Sequence, residues 1–138
     1  MPFDDTVFLK TKVDLLGFFN EVQLRDVTPD IERRSYAKGD MVVLKGEILN
    51  NFYIVKKGKV AVLWNPTSGE SKTRELGAGG FFGEISLLED ASATASVKAL
   101  DNDTEVLMIP HNSFQKLLQI QPMLKRALLD KVAAFRKG

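Results

Sequence analysis

From Arg33 to Ile109 apolar residues arrive in short runs broken by turn formers, a pattern that predicts a series of β-strands. The runs are Met41 to Leu44, Phe52 to Lys56, Lys59 to Trp64, Lys72 to Leu76, Ser96 to Leu100 and Thr104 to Ile109. Between them, Lys38-Gly39-Asp40, Lys45-Gly46-Glu47, Lys57-Gly58-Lys59, Asn65 to Gly69 and Asp101-Asn102-Asp103 supply Gly, Asn or Asp where the backbone must reverse. Val60, Val62 and Trp64 alternate with their neighbours, which puts three apolar side chains on one face of a half-buried strand. Strands spaced this regularly predict a roll or a sandwich.

Both ends change period. Phe114, Leu117 and Leu118 fall at helical spacing, and Pro122 opens a second segment in which Leu124, Leu128, Val132 and Phe135 form one stripe. At the amino end Leu15, Leu16, Phe18 and Phe19 predict a short helix, and Pro29 limits any helix beyond it. The expected fold is therefore mainly β with flanking helices: an amino-terminal helix, a β-roll over about 33–109 and two carboxy-terminal helices over about 111–136, in one domain of 1–138.

Composition narrows the function classes. A chain of 138 residues, 44% hydrophobic and 27% charged, has the balance of one globular core. Its 19 Lys and Arg against 18 Asp and Glu leave a net charge of +1, so no overall field draws it to nucleic acid or an anionic membrane, and neither is expected as a partner. The basic residues near the end, Lys125, Arg126, Lys131, Arg136 and Lys137, fit a solvated helix face. The absence of cysteine excludes disulfides and zinc–thiolate sites and fits the cytoplasm. Met1 to Lys12 carries no long apolar run, so neither a signal peptide nor a membrane span is expected. With one histidine, His111, and no nucleophile beside a base at motif spacing, no metal, no cofactor and no enzymatic activity are expected.

The unusual chemistry lies between Gly77 and Leu100. Gly77, Gly79, Gly80 and Gly83 let the backbone approach a ligand without a Cβ in the way, and a short helix from Ile85 to Leu88 would aim free N–H groups at an anion. A glycine-rich loop by itself is a weak signal. The bland reading of Glu84 is a carboxylate favoured at a helix amino terminus.

Phe82-Gly83-Glu84-Ile85-Ser86-Leu87-Leu88, followed by Ala95-Ser96-Val97-Lys98-Ala99, resembles the phosphate-binding cassette of cyclic nucleotide-binding domains. Upstream, Tyr36-Ala37-Lys38-Gly39-Asp40, Gly46-Glu47, Phe52-Tyr53-Ile54-Val55 and Lys57-Gly58-Lys59-Val60 are similar to that family's strands and turns in the same order. The resemblance runs from about Leu15 to Phe135. It implies the family's β-roll, a jelly-roll or double-stranded β-helix, and a ligand site formed by Phe82, Gly83, Glu84, Ile85, Ser92, Ala93, Thr94 and Ala95. In the family the residues matching Gly83 and Ile85 present backbone N–H groups, and the one matching Glu84 accepts from the ribose 2′-hydroxyl.

The chain departs from the pattern at Ala93, where the family typically has an arginine that pairs with the cyclic phosphate. No Lys or Arg lies between Gly77 and Val97, while Glu84, Glu89 and Asp90 add negative charge. Losing a charge-assisted hydrogen bond costs about 1.5–3 kcal/mol, or roughly ten- to hundredfold in affinity. Lys98 is a poor substitute, since with Val97 pointing inward it points out. Lys72 and Arg74 lie on a neighbouring predicted strand whose facing the sequence leaves open. Thr94 matches a threonine that, in members selective for cyclic GMP, bonds the guanine or the phosphate; its other reading is a β-branched residue entering a strand. Two functions are expected as alternatives. One is a regulatory domain that binds cyclic AMP or cyclic GMP weakly and moves its carboxy-terminal helices, which in the family act as a lid or a homodimer contact. The other is a degenerate domain that binds no nucleotide and serves as a scaffold or a contact for an effector protein.

Overall fold

The computed structural model describes residues 6–13, 16–17, 19–64, 71–84, 87 and 92–136, with side chains through 131. Eight strands form two antiparallel four-stranded sheets. The first has the order β1-β8-β3-β6, with β1 Glu32–Tyr36, β8 Thr104–Pro110, β3 Asn51–Lys57 and β6 Phe81–Phe82. The second has the order β2-β7-β4-β5, with β2 Met41–Val43, β7 Ser96–Ala99, β4 Val60–Trp64 and β5 Lys72–Leu76. Helices flank this roll: α1 Thr6–Lys12, α2 Glu21–Arg25 and a 3-10 turn Thr28–Asp30 at the amino end, α3 His111–Ile120 and α4 Pro122–Arg136 at the other.

The central strands β3 and β8 explain the layering. Both read as continuous apolar runs because both faces are covered, yet their side chains still alternate. Phe52 and Ile54, paired with Ile109 and Leu107, point to the helices and join Leu9, Leu24, Phe114 and Leu128 in one buried cluster. Tyr53 and Val55, paired with Met108 and Val106, point the other way into the roll and meet Val43, Val60, Val62 and Val97 of the second sheet. Phe52 stacks on Phe114 with ring centres 4.9 Å apart, which fixes α3 on the sheet.

The six predicted strands are present to within a residue or two at their ends, and two more were not predicted. β1 has the sequence Glu-Arg-Arg-Ser-Tyr and is largely exposed; as an edge strand paired only with β8 it needs little apolar content. β6 is two residues long, too short to give a periodic signal.

At the expected amino-terminal helix the described residues Leu16 and Gly17 form a 3-10 turn, and α1 and α2 lie on either side of it. Leu16 and Phe19 are buried as expected, but they sit between α1 and α2; Leu15 and Phe18 lie outside the described residues. A capping box starts α2, with the Gln23 amide donating to Asn20 Oδ1 at 2.8 Å and the Asn20 amide donating to Gln23 Oε1 at 3.0 Å. Pro29 lies inside the 3-10 turn, after α2 has ended. At the other end, Leu124 and Leu128 are buried as the stripe predicts, whereas the side chains of Val132 and Phe135 lie outside the described residues.

Candidate ligand-binding site

The glycine-rich connection from β5 to β6 and the chain entering β7 meet around a cavity of about 500 Å³. Its apolar wall is built from the inner face of the second sheet, with Val43, Val62 and Val97, and from Phe81 and Phe82 of β6. Phe82 is held by Tyr53, the rings 4.9 Å apart and nearly parallel, and burial raises the Tyr53 phenol above its ordinary pKa.

Two glycines shape the rim. Gly83 has a φ of +93°, and a Cβ there would lie 3.0 Å from Tyr53 Cδ2 and 3.2 Å from the Asn51 carbonyl oxygen. Only glycine lets the chain turn out of β6 so close to β3, and that turn delivers Glu84 to the cavity. Gly79 has a φ of +91°, and a Cβ there would collide with the carbonyl oxygen of Lys12. The end of α1 therefore lies directly on the glycine loop, which brings Lys12 to the same cavity.

Glu84 is the most perturbed group of the site. Its Oε2 is buried and accepts a hydrogen bond from no described residue. Burial raises its pKa to about 7, against the opposing influence of its own backbone amide and of the Arg74 charge. A buried carboxylate oxygen without a partner is costly unless something donates to it, and a ligand hydroxyl at this wall would do so.

The register settles how the two open cations face. Val97, Val62 and Arg74 stand side by side across β7, β4 and β5, and residues paired across antiparallel strands share a face. Val62 and Val97 are buried, so the row faces inward and Arg74 lies at the cavity wall. Lys72 is on that same face, opposite Trp64, but is not part of the wall. Lys98 is exposed on the opposite face, as its neighbour Val97 predicted. A third cation, Lys131 of α4, completes the set, so Lys12, Arg74 and Lys131 surround a cavity whose one carboxylate among the described residues is Glu84.

Of the site residues expected from the sequence, Phe82, Gly83, Glu84, Ala93, Thr94 and Ala95 come together at this cavity. Ser92 is exposed and stands apart from the wall. Ile85 lies outside the described residues, as does most of the expected helix from Ile85 to Leu88; the Leu87 amide donates to the Gly83 carbonyl at 3.4 Å across one helical turn. Ala93 is 5% exposed, in the apolar cluster inside the roll. Its amide donates to the Glu47 carbonyl at 2.7 Å and its carbonyl accepts from the Gly46 amide at 2.9 Å, which pins it to the preceding turn. Lys12 and Lys131 escaped the sequence reading because tertiary packing alone brings them here. Arg74 had a signal: it lies two residues before Leu76 in a strand and so shares a face with it.

The β-roll thus encloses a cavity rimmed by a glycine loop, a partly buried acid and three cations. The chain belongs to the cyclic nucleotide-binding domain family, whose model matches residues 33–121. It is similar to the cAMP-dependent protein kinase regulatory subunit of Hypocrea atroviridis, with 30% identity over 116 residues that cover 83% of this chain and 24% of that protein. It is also similar to the cGMP-dependent protein kinase of Eimeria tenella, with 26% identity over 124 residues that cover 90% of this chain and 12% of that protein. Among solved structures, the catabolite activator protein of Thermus thermophilus superposes with a TM-score of 0.72 at 27% identity, over 89% of this chain and 58% of that one. The chain thus spans about a quarter or less of these two curated relatives. No helix among the described residues is long and apolar enough to cross a membrane, and no group of three or more His, Asp or Glu among them is placed to hold a metal ion.

Proposed function

We propose that the chain is a non-catalytic regulatory module of the cytoplasm that binds a cyclic nucleotide, cyclic AMP or cyclic GMP, in the 500 Å³ cavity and passes that binding to its terminal helices. The observation that carries this reading is Glu84: a buried carboxylate oxygen with no donor among the described residues, at the wall of a ligand-sized cavity, beside the Gly83 turn. In this reading the nucleotide's sugar hydroxyl donates to Glu84, its base and sugar lie against Phe82, Val62 and Ala95, and its phosphate meets the cations. Thr94, exposed at the rim, offers a hydroxyl to guanine or phosphate.

The route to the helices is short. Lys131 belongs to α4 and Lys12 ends α1, so a ligand anion touching them would bias both terminal segments. Leu87, just past Glu84, is buried in the same cluster as Leu124 and Leu128 of α4. A ligand moves such an equilibrium only by its differential affinity for the two states, and contacts with Lys131 present in one state and absent in the other would supply it. A homodimer or an effector protein would read the change at α3 and α4.

Ala93 favours a second reading, in which the site has lost its nucleotide and the module acts through its helices alone. Its methyl group is packed among apolar side chains and offers nothing to a phosphate. Calorimetric titration with cyclic AMP and cyclic GMP, on the unmodified chain and on Ala93→Arg, separates the two. The first reading predicts saturable binding by the unmodified chain, strengthened in the variant. Binding by the variant alone would establish the second reading, and silence from both would remove nucleotide sensing altogether.

A further inference from the structure

We propose that Arg74 holds the ligand's anion, so that the cation the phosphate needs comes from β5 and not from position 93. This inference rests on the reading of the cavity as a nucleotide site and assigns its charge partner.

Three features single out Arg74. It lies on the edge strand β5, in the inward-facing row with Val62 and Val97, so its side chain belongs to the cavity without being part of the packed core. Its charge acts on Glu84, the one carboxylate of the described wall, which places cation and acid close enough for one small ligand to meet both. Neither Arg74 nor Lys12 nor Lys131 forms an ion pair with a described residue, whereas Arg25 pairs with Glu21 and Arg33 with Glu105 outside the cavity wall. Among the described residues, three cations and a single carboxylate line the cavity, in a chain whose overall net charge is only +1.

Arg74 differs from the two lysines in kind. Its planar guanidinium can grip two phosphate oxygens at once, whereas an ammonium acts as a point charge. Arg74 therefore positions the anion, and Lys12 and Lys131 add attraction from the two terminal helices. A ligand that satisfies the whole wall carries an anion at one end and a hydroxyl donor for Glu84 nearby, which is the chemistry of a sugar phosphate joined to a flat apolar base.

The test is a titration of cyclic AMP and cyclic GMP, by calorimetry, into the unmodified chain, Arg74→Ala, Arg74→Lys and Arg74→Ala combined with Ala93→Arg. Each variant is first melted, and an unchanged Tm excludes loss of fold. The inference predicts that Arg74→Ala weakens binding about ten- to hundredfold. It also predicts that Arg74→Lys retains part of the affinity and that the added arginine at position 93 restores it. Binding by Arg74→Ala within about threefold of the unmodified chain overturns the inference and leaves the nucleotide reading standing. Loss in Arg74→Ala that neither the lysine nor the relocated arginine relieves also overturns it, because shape and not charge was then removed. If the unmodified chain binds neither nucleotide, both the inference and the reading beneath it fail.

Discussion

The two faces of β3 and β8 look onto regions finished in opposite ways. On the helix side, Phe52, Ile54, Leu107 and Ile109 meet Phe114, Leu117, Leu124 and Leu128 and leave a void of only about 10 Å³. On the roll side, Tyr53, Val55, Val106 and Met108 meet a valine-rich sheet that stops short of closing and leaves about 500 Å³ with charged groups at its wall. The same two strands feed both regions, so strand composition does not explain the difference. Small residues at Ala93 and Ala95 and glycines at the rim leave the second region open. One face is closely packed and the other leaves a cavity.

The sharpest way to break that comparison is to make the same substitution on both sides. Leu117→Ala empties a closed core and is expected to cost about 3–5 kcal/mol in urea denaturation. Leu76→Ala, at the half-buried cavity wall, removes the same atoms beside space that already exists and is expected to cost about 1 kcal/mol or less. Equal losses would mean that the two regions are packed alike.

Next in size is a pH effect. The folded-state pKa of Glu84 is raised to about 7 from an ordinary 4.5, so the folded chain holds that proton more tightly than the unfolded one. Its contribution to stability is full below about pH 4.5, falls as pH rises towards about 7 and is then flat, an amplitude on the order of 3 kcal/mol. Thermal melts between pH 4 and 8 should trace that decline, and Glu84→Gln should flatten it. An unchanged profile in the variant would show that Glu84 is solvated and the cavity wetter than described.

Asn20→Ala removes one half of the capping box on the helix side and is expected to lower stability by about 1 kcal/mol with no effect on ligand titrations. Smallest of all, Arg74→Ala on the open side should move stability by less than about 0.5 kcal/mol, since an exposed arginine on an edge strand contributes little to packing. The pair sharpens the contrast. A residue that matters for folding and not for ligand belongs to the closed face, and one that matters for ligand and not for folding belongs to the open one.

Strand positions were legible wherever alternation or continuous apolar runs met a turn signal, as at Phe52 to Lys56 and Val60 to Trp64. Glu32 to Tyr36 hid because an edge strand can be polar on both faces. At the amino terminus Leu16 lies in a 3-10 turn where a short helix was expected, while the longer helical segments fall on either side of it; Asn20 with Gln23 carried the signature of the second helix's start. In the site, the Gly83-Glu84 pair and Ala93 were legible from motif and spacing. Lys12 and Lys131 were not, since they lie far apart in sequence and only the tertiary fold brings the two helices that carry them to one cavity. Arg74 stood between those cases: period two placed it on the face of Leu76, and register with Val62 was needed to show that this face lines the cavity.

The central claim is that a cyclic nucleotide occupies this cavity. NMR titration of the isotope-labelled chain with cyclic AMP, and separately with cyclic GMP, tests it at single residues. The account predicts saturable shifts confined to the amides of Gly79, Gly83, Glu84, Thr94 and Ala95 and to the Arg74 side chain, followed by smaller shifts along α4. Spectra that stay unchanged at millimolar nucleotide, or shifts scattered over the surface without saturation, would contradict it.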